Sequence, residues 1–156
     1  MITAIYDRIT VILGKGRLWF GGGMHEINDE LTERIIGCCF KVHRDLGPGF
    51  IEKIYQNALI IELDNSIIGY EREKTYNVTY SNMEVGKLRV DLLVEGKVIL
   101  ELKSLEGNIP GLFENQLASY LKAAKLNTGL LVNFGAKSCQ LRRILNNHRN
   151  QDIKSL

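Results

Sequence analysis

The 156-residue sequence has no long apolar stretch and few cysteines, and both absences narrow what the protein can be. No apolar run approaches the roughly 20 residues that a membrane-spanning helix needs. Three cysteines, two of them adjacent as Cys38 and Cys39, provide neither a C-x-x-C metal spacing nor an even set for disulfides. We therefore expect a cytoplasmic protein with no membrane partner and with reduced thiols packed in its core.

The sequence also lacks a strong excess of charge and two common ligand-binding motifs. Its formal net charge is only +2, so a nucleic-acid partner would have to meet a local basic patch. The run Gly14-Lys15-Gly16 lacks the spacing of a phosphate-binding loop. His43 and His148 have no histidine four residues away, so neither matches a helical zinc site.

The composition indicates one globular domain with a short extension at each end. With 45% hydrophobic residues, the chain is long enough to bury a single core. The run of glycines at 21–23 is typical of a flexible joint, so we expect residues 1–23 to form an N-terminal extension. Whether that extension is ordered stays open, although residues 9–13 have strand character. The predicted domain covers residues 24–150, and residues 151–156 form a tail.

Apolar periodicity predicts two helices at the start of this domain. The first begins near Asn28 and ends at the Gly-Pro-Gly of residues 47–49. In the second, Glu52 and Tyr55 share a side, and we expect Glu52 to be held among apolar neighbours. Because a buried acid without a partner is costly, Glu52 should form an ion pair or face a metal cleft. Three isoleucines and an alanine share another side: Ile51, Ile54, Ala58 and Ile61.

The rest of the domain alternates between strand and helix patterns. Strand periodicity covers residues 70–80, 87–94 and 98–103, a helix covers 113–125, a fourth strand covers 129–134, and a last helix starts near Ser138. The third strand, the helix and the fourth strand form a β-α-β unit, which makes those two strands parallel. We therefore predict an α/β (α+β) domain with a mixed β-sheet flanked by helices.

The strongest chemical signal is an acid on one strand with an acid and a lysine on the next. Glu101 and Lys103 are two residues apart, so both project to one face while Leu102 turns away, and Asp91 lies on the preceding strand. Carboxylate oxygens suit Mg²⁺ or Mn²⁺, which polarise a phosphate and activate a water. The alternative is an ordinary ion pair at a sheet edge. The spacing E-x-K does not decide by itself, because residues 95–97 repeat it at a turn.

The turn between these two strands decides whether the acids meet. A two-residue loop of Glu95 and Gly96 would place Asp91 across from Leu100 and on the wrong face. A three-residue loop over 95–97 would place Asp91 opposite Glu101, and a loop over 94–96 would leave the acids diagonal neighbours. A metal site therefore requires a loop of odd length.

Five further residues are candidates for contacts with the substrate. Gln116 and Tyr120 lie four apart on the predicted helix, so they share a face on which an amide and a phenol would hold a phosphate near the metal. Arg142 and Arg143, together with Arg149, are expected to be exposed on the last helix, where they would supply positive charge to a nucleic acid.

Several short segments resemble those of a known nuclease family. Residues 49–55, Gly-Phe-Ile-Glu-Lys-Ile-Tyr, resemble the signature of the GxxExxY family within the PD-(D/E)XK nuclease superfamily. Residues 43–49 and 131–135 extend the likeness, which covers about residues 24–147. The spacing of Gln116 and Tyr120 is similar to the Q-x-x-x-Y element of RecB-like nucleases. Val90 departs from the pattern, because the superfamily name expects proline there.

The resemblance implies a restriction-endonuclease-like αβββαβ core and a set of site residues. Asp91, Glu101 and the Leu102 carbonyl would hold Mg²⁺ or Mn²⁺. Lys103 would assist the attacking water, and Glu52 would be a further ligand of the metal or the water.

We therefore expect a metal-dependent nuclease that hydrolyses phosphodiester bonds, with DNA as the expected substrate and RNA left open. The alternative is a non-catalytic nucleic-acid-binding or protein-interaction module that keeps the nuclease fold. The presence of Asp91, Glu101 and Lys103 together favours the enzyme. The sequence leaves open whether the protein forms a homodimer.

Overall fold

A computed structural model describes residues 17–20, 23–26 and 30–146 of the chain. The chain divides into two compact units, Met1–Gly37 and Cys38–Leu156. The segment of strand character at residues 9–13, the tail at 151–156 and Arg149 lie outside the described residues. No helix in the described part of the chain is long and apolar enough to cross a membrane.

The first unit contains a short β-hairpin and the beginning of a helix. Strands β1 (Arg17–Phe20) and β2 (Gly23–Glu26) pair antiparallel, with Phe20 opposite Gly23. Gly23, which we predicted to lie in a flexible joint, is therefore the first residue of a paired strand. The predicted domain boundary at residue 24 stays a prediction.

Two helices follow, as the apolar periodicity predicts. Helix α1 (Glu30–Leu46) ends before Gly47, whose φ of +68° lies in the left-handed region that favours glycine. Helix α2 (Glu52–Asn65) buries Tyr55. The prediction that Glu52 is held among apolar neighbours is wrong, because this residue of the first helical turn is exposed. The isoleucines that share a side are exposed as well: Ile51, Ile54 and Ile61.

A long antiparallel hairpin with a bend in its middle forms the next part of the fold. One arm consists of β3 (Tyr70–Arg72) and β4 (Thr75–Tyr80), and the other of β5 (Met83–Arg89) and β6 (Leu92–Val94). The strands predicted at 70–80 and 87–94 are thus each divided in two. Strands β4 and β5 form a separate two-stranded sheet, whereas β3 and β6 belong to the main sheet.

The bend has a local cause at residues that lie across from each other. Glu73 has a φ of +52°, which interrupts the first arm. Its N–H donates to the Asp91 carbonyl at 2.9 Å, and the Val90 N–H donates to the Lys74 carbonyl at 2.9 Å. Both arms therefore turn together, and Asp91 lies at the bend rather than inside a strand.

The main sheet contains five strands in the order β3-β6-β7-β8-β9. Strand β7 (Val98–Lys103) runs parallel to β8 (Thr128–Asn133), and α3 (Gly111–Ala124) connects them, which confirms the β-α-β unit. Strand β9 (Gln140–Leu145) pairs antiparallel with β8, and the other pairings are also antiparallel. The protein thus has the predicted mixed α/β sheet flanked by helices.

The last element in the described part of the chain is a strand, so the helix predicted from Ser138 is wrong. Leu141, Ile144 and Leu145 recur at the three- and four-residue spacing of a helix, which explains the error. Pairing with β8 overrides this local pattern, since Gln140 lies opposite Asn133 and the register continues to the end of the strand.

Helix α3 packs on one face of the main sheet through a compact apolar cluster. Gly129 of β8 allows the close approach, because a Cβ at this position would lie 2.9 Å from the Leu117 side chain. The buried members of the cluster are Val90, Leu93, Ile99, Ile109, Leu117, Leu121 and Leu131.

The cysteines are free thiols, and Cys38 and Cys39 are buried, as expected.

Candidate metal-dependent nuclease site

Asp91 and Glu101 are neighbours because the loop between β6 and β7 has three residues. Val94 pairs with Val98, which leaves residues 95–97 in the loop. Two of these residues adopt positive φ, which a tight turn of this kind needs. The same register, extended by one residue beyond β6, places Asp91 opposite Glu101. This is one of the odd-length loops that the metal site requires.

Two hydrogen bonds connect the acids across the strands. The Asp91 N–H donates to Glu101 Oε1 at 3.2 Å, and the Leu102 N–H donates to Asp91 Oδ2 at 2.7 Å. The Asp91 carboxylate thus takes the place of a main-chain acceptor where the bend interrupts the sheet. The Glu101 carboxylate is thus held by the main chain of Asp91, and the Asp91 carboxylate is held by the main chain of β7 next to Glu101.

Burial raises the pKa of both acids, and repulsion by Asp91 raises the pKa of Glu101 further. Loss of solvation raises the pKa of Glu101 to about 8, with further increases from the charges of Asp91 and, to a smaller extent, Glu52. The hydrogen bond from Asp91 and the charge of Lys103 act in the opposite direction. Burial also raises the pKa of Asp91, although the hydrogen bond from Leu102 and the charge of Lys103 oppose the increase. Two such groups favour a shared proton or a bound cation.

Lys103 lies at the end of β7, two residues beyond Glu101 and on the same face. Its ammonium lies over the ring of Phe113, 4.4 Å from the ring centroid. A cation–π contact of this kind restricts the long side chain without neutralising its charge. The positive charge reaches both acids, since it lowers the pKa of Asp91 and of Glu101.

Helix α3 presents one of its two predicted polar residues to the acids. Burial raises the pKa of Tyr120, and the charges of Glu101 and Asp91 raise it further, which brings the phenol within electrostatic range of both. Gln116 lies one helical turn earlier with an exposed side chain. The charges of both acids thus reach Tyr120, whereas Gln116 is exposed on the helix surface, and the contacts of both residues with a substrate stay predictions.

The tyrosine of the motif at residues 49–55 is a structural residue. Tyr55 is fully buried, and its ring stacks on Phe134 with 4.8 Å between centroids. Its hydroxyl donates to the Gly47 carbonyl at 2.5 Å and accepts the Phe50 N–H at 3.2 Å. Tyr55 therefore fixes the loop that precedes α2.

The same loop is attached to the end of β7. Ser104, which directly follows Lys103, donates a hydrogen bond to the Phe50 carbonyl at 2.5 Å. Glu52 stands at the start of α2 beside this contact, and its charge contributes to the raised pKa of Glu101. The motif thus brings its glutamate to the neighbourhood of the two acids, where the side chain is exposed rather than buried.

Buried Asn133 holds the chain that follows Lys103. Its Oδ1 accepts the N–H groups of Leu105 at 2.8 Å and Gly135 at 3.0 Å, and its Nδ2 donates to the Leu105 carbonyl at 3.0 Å. A Cβ at Gly135 would overlap the main chain of Leu105, so a glycine is required there. Residues 131–135 therefore shape the segment next to the candidate site.

The structure does not present Arg142 and Arg143 as one basic patch. Arg142 forms an ion pair with Glu114 of α3 and is half-buried. Arg143 is the next residue of β9, so its side chain points to the opposite face of the sheet. Their contact with a substrate stays a prediction.

Phe113 and Phe50 contribute to this region, and the sequence analysis missed both. Phe113 is ten residues beyond Lys103 on another element, and no spacing rule connects an aromatic ring with a lysine at that separation. Phe50 is an unspecified position of the motif at residues 49–55. Its side chain is 43% exposed although it is apolar, and this exposure cannot be predicted from the sequence.

The oxygen donors of the site fit a hard divalent cation. The Lys103 carbonyl accepts the Phe134 N–H and therefore points toward the β8 side. Main-chain groups of successive strand residues point in alternate directions, so the N–H and the carbonyl of Leu102 point toward Asp91. The Leu102 carbonyl would thus join the carboxylates of Asp91 and Glu101. Within the described ranges, no cluster of three or more His, Cys, Asp or Glu side chains is arranged to hold a metal. Mg²⁺ commonly binds through one or two carboxylates and several waters, which agrees with this donor set.

Comparison with known proteins identifies the family. A model of the PD-(D/E)XK nuclease superfamily matches residues 29–144. The chain therefore belongs to the PD-(D/E)XK nuclease superfamily, whose members act on nucleic acids and typically use divalent metals. The mixed sheet and its flanking helices agree with a restriction-endonuclease-like fold.

Two other comparisons do not extend this assignment. No curated protein matches the chain. One solved structure, described as "Crystal structure of SSO0001", is similar at 20% identity with a TM-score of 0.47, and the match covers 60% of this chain and 48% of that one. The chain thus spans about half the length of that protein, and a likeness at this level carries no argument about activity.

Proposed function

We propose that the protein is a metal-dependent nuclease that hydrolyses phosphodiester bonds in DNA, with Mg²⁺ or Mn²⁺ held by Asp91, Glu101 and the Leu102 carbonyl. The observation that carries the proposal is the buried pair of acids, linked across two strands, in which the pKa of Glu101 rises to about 8. An ordinary ion pair would lower the pKa of a carboxyl group. The raised value therefore favours a cation site over an edge ion pair.

Each side chain has a defined part in this proposal. A bound divalent metal supplies a Lewis acid that polarises the phosphate and lowers the pKa of a water. Asp91 and Glu101 bind through their carboxylate oxygens, and their burial keeps bulk water away from the scissile bond. The Lys103 ammonium, held over Phe113, orients the attacking water or offsets the negative charge that develops on the phosphate.

Residues around the acids position the substrate. The Tyr120 hydroxyl and the Gln116 amide donate hydrogen bonds to a phosphate beside the scissile one. Glu52 accepts a hydrogen bond from a water at the site. This proposal includes the finer assignment to the GxxExxY family, because Glu52 and Tyr55 of the motif have distinct and complementary parts, one beside the acids and one in the core.

A cleavage assay tests the proposal. The purified protein is incubated with linear, circular and branched DNA and with RNA, in Mg²⁺, Mn²⁺ or EDTA. We expect cleavage that requires the metal. Glu101→Gln removes a negative ligand while it keeps the side-chain size. Since loss of even an outer partner of a metal ligand costs 10–100-fold, this change should reduce cleavage at least roughly 100-fold.

The chain offers a matched control in its second E-x-K, at the turn between β6 and β7. Glu95 accepts the Gly69 N–H at 2.6 Å, and the oxygen of a glutamine can accept the same bond. Glu95→Gln should therefore cleave like the wild type.

Persistent cleavage by Glu101→Gln would refute the assigned site. A wild-type protein that cuts none of these substrates, but binds them, would favour the non-catalytic module.

A further inference from the structure

A cleft of about 810 Å³ lies between the loop before α2 and the chain that follows β7. Phe50, Ile51, Glu52 and Lys53 line one side of it. Ser104 and Glu106 line the other side, and Pro48, Gly49 and Gly135 complete the lining. Its volume is several times that of a nucleobase, so a nucleoside can enter.

The cleft adjoins the two acids through two of its lining residues. Ser104 directly follows Lys103, and its hydroxyl joins the two walls by its bond to the Phe50 carbonyl. Glu52 stands close enough for its charge to act on Glu101. A polynucleotide whose phosphate lies at Asp91 and Glu101 would therefore place an adjoining nucleoside in the cleft.

The charges of the cleft favour a neutral group over a phosphate. Glu52 and Glu106 are acids, whereas Lys53 is the basic residue of the lining. The Lys53 ammonium is already engaged with Gln56 Oε1 at 3.2 Å and with Glu73 Oε1 at 3.6 Å. A phosphate would meet net negative charge there, but the amino group of a base would meet carboxylate acceptors.

The apolar surface of the cleft suits the flat face of a base. Phe50 is 43% exposed and Ile51 is 68% exposed, although both are apolar. The Phe50 ring meets the buried Tyr55 ring edge to face, with 6.1 Å between centroids, which restricts its orientation. Exposed aromatic rings beside a nucleic-acid path commonly stack with unpaired bases.

We propose that this cleft binds the unpaired base of the nucleotide next to the scissile phosphate, stacked on Phe50, so that the substrate is a single strand, a flap or a frayed end. The inference rests on the proposed nuclease function for the nature of the substrate. In a duplex the base is paired and stacked, and its extrusion opposes entry into a pocket. The enzyme should therefore cut single strands in preference to intact duplex.

Fluorescence of 2-aminopurine tests the cleft independently of cleavage. An oligodeoxythymidylate with one internal 2-aminopurine is titrated with Glu101→Gln protein in Mg²⁺, in which the strand stays intact. We expect quenching by stacking and tighter binding than for a duplex with the same base paired. Phe50→Leu, which keeps apolar volume but removes the ring, should weaken single-strand binding about 5- to 150-fold, and Phe50→Trp should restore it.

Control variants and cleavage rates separate this inference from the proposed function. Ile61→Ala removes an exposed apolar residue of α2 outside the cleft and should bind like the parent. Cleavage of duplex and single strands at equal rates, with Phe50→Leu unchanged, would overturn the cleft and keep the nuclease. Binding that depends on Phe50, without cleavage by the wild type, would keep the cleft and overturn the nuclease.

Discussion

Folding moves the Glu101 carboxyl group from water to a position beside a second acid. The pKa rises from 4.5 to about 8, mainly through loss of solvation and then through repulsion by Asp91. Between these values the folded protein keeps a proton that the unfolded chain has released. Its stability must therefore fall as the pH rises through this window.

This linkage gives a prediction for the metal-free protein. In EDTA, the free energy of unfolding should decrease from pH 5 to pH 8 by on the order of a few kcal/mol, and Glu101→Gln should remove most of the decrease. Urea denaturation at several pH values measures both. Added Mg²⁺ should restore stability at pH 8 in the wild type alone. A wild-type protein as stable at pH 8 as at pH 5 would contradict the burial of the pair.

Lys103 allows catalysis and metal binding to be separated. Lys103→Met removes the ammonium and should reduce turnover about 100-fold or more, the usual cost of losing one group that stabilises charge in the transition state. The Lys103→Met protein should still bind Mn²⁺, as measured by calorimetry, because an ammonium group cannot be a metal ligand. Lys97→Met, in the second E-x-K, serves as the control. Loss of Mn²⁺ binding in Lys103→Met would mean that the lysine only supports the fold.

Individual site residues differed in how well the sequence predicted them. Glu101 and Lys103 share a face because of strand alternation alone, which is a local rule. Exposure of Glu52 could not be predicted, since it depends on where the first turn of α2 meets the end of β7. Arg142 was expected in solvent, but its ion pair with Glu114 requires the pairing of β9 with β8.

Among the elements, the loop before α2 depends on a single hydroxyl group. Tyr55→Phe leaves the stacked ring in place but removes the partner of the Gly47 carbonyl and the Phe50 N–H. We expect a loss of about 1–3 kcal/mol in the free energy of unfolding, measured in urea. Tyr80→Phe is the matched control, because Tyr80 is 74% exposed at the end of β4. Equal stability of the two variants would contradict this role.

Element types were predictable where local pattern and tertiary pairing agree. The β-α-β unit follows from a strand, a helix and a strand of strong periodicity. The division of the hairpin depends on a hydrogen bond between Glu73 and Asp91, which are 18 residues apart in the sequence. In β9 the apolar spacing favours a helix, and only the neighbouring strand decides otherwise.

At the scale of the whole molecule, the extension at residues 1–23 should contribute little to stability. The run of glycines at 21–23 separates these residues from the apolar periodicity that starts the predicted domain. A protein that begins at Met24 should therefore keep a melting temperature within a few degrees of the full chain, measured by circular dichroism. A large decrease would show that the extension packs against the domain or a second copy.

The loop between β6 and β7 makes the site sensitive to insertions and deletions more than to substitutions. If the loop keeps three residues, removal of one residue from 95–97 draws Val94 or Val98 into it and places Asp91 opposite Leu100 or Leu102, so that its carboxylate leaves the face that carries Glu101. The turn at Ser81 and Asn82, at the other end of the bent hairpin, lies beyond β4 and β5 and does not set that register. Natural variation in chain length should therefore accumulate at the turn of Ser81 and Asn82 and be excluded from the loop at residues 95–97.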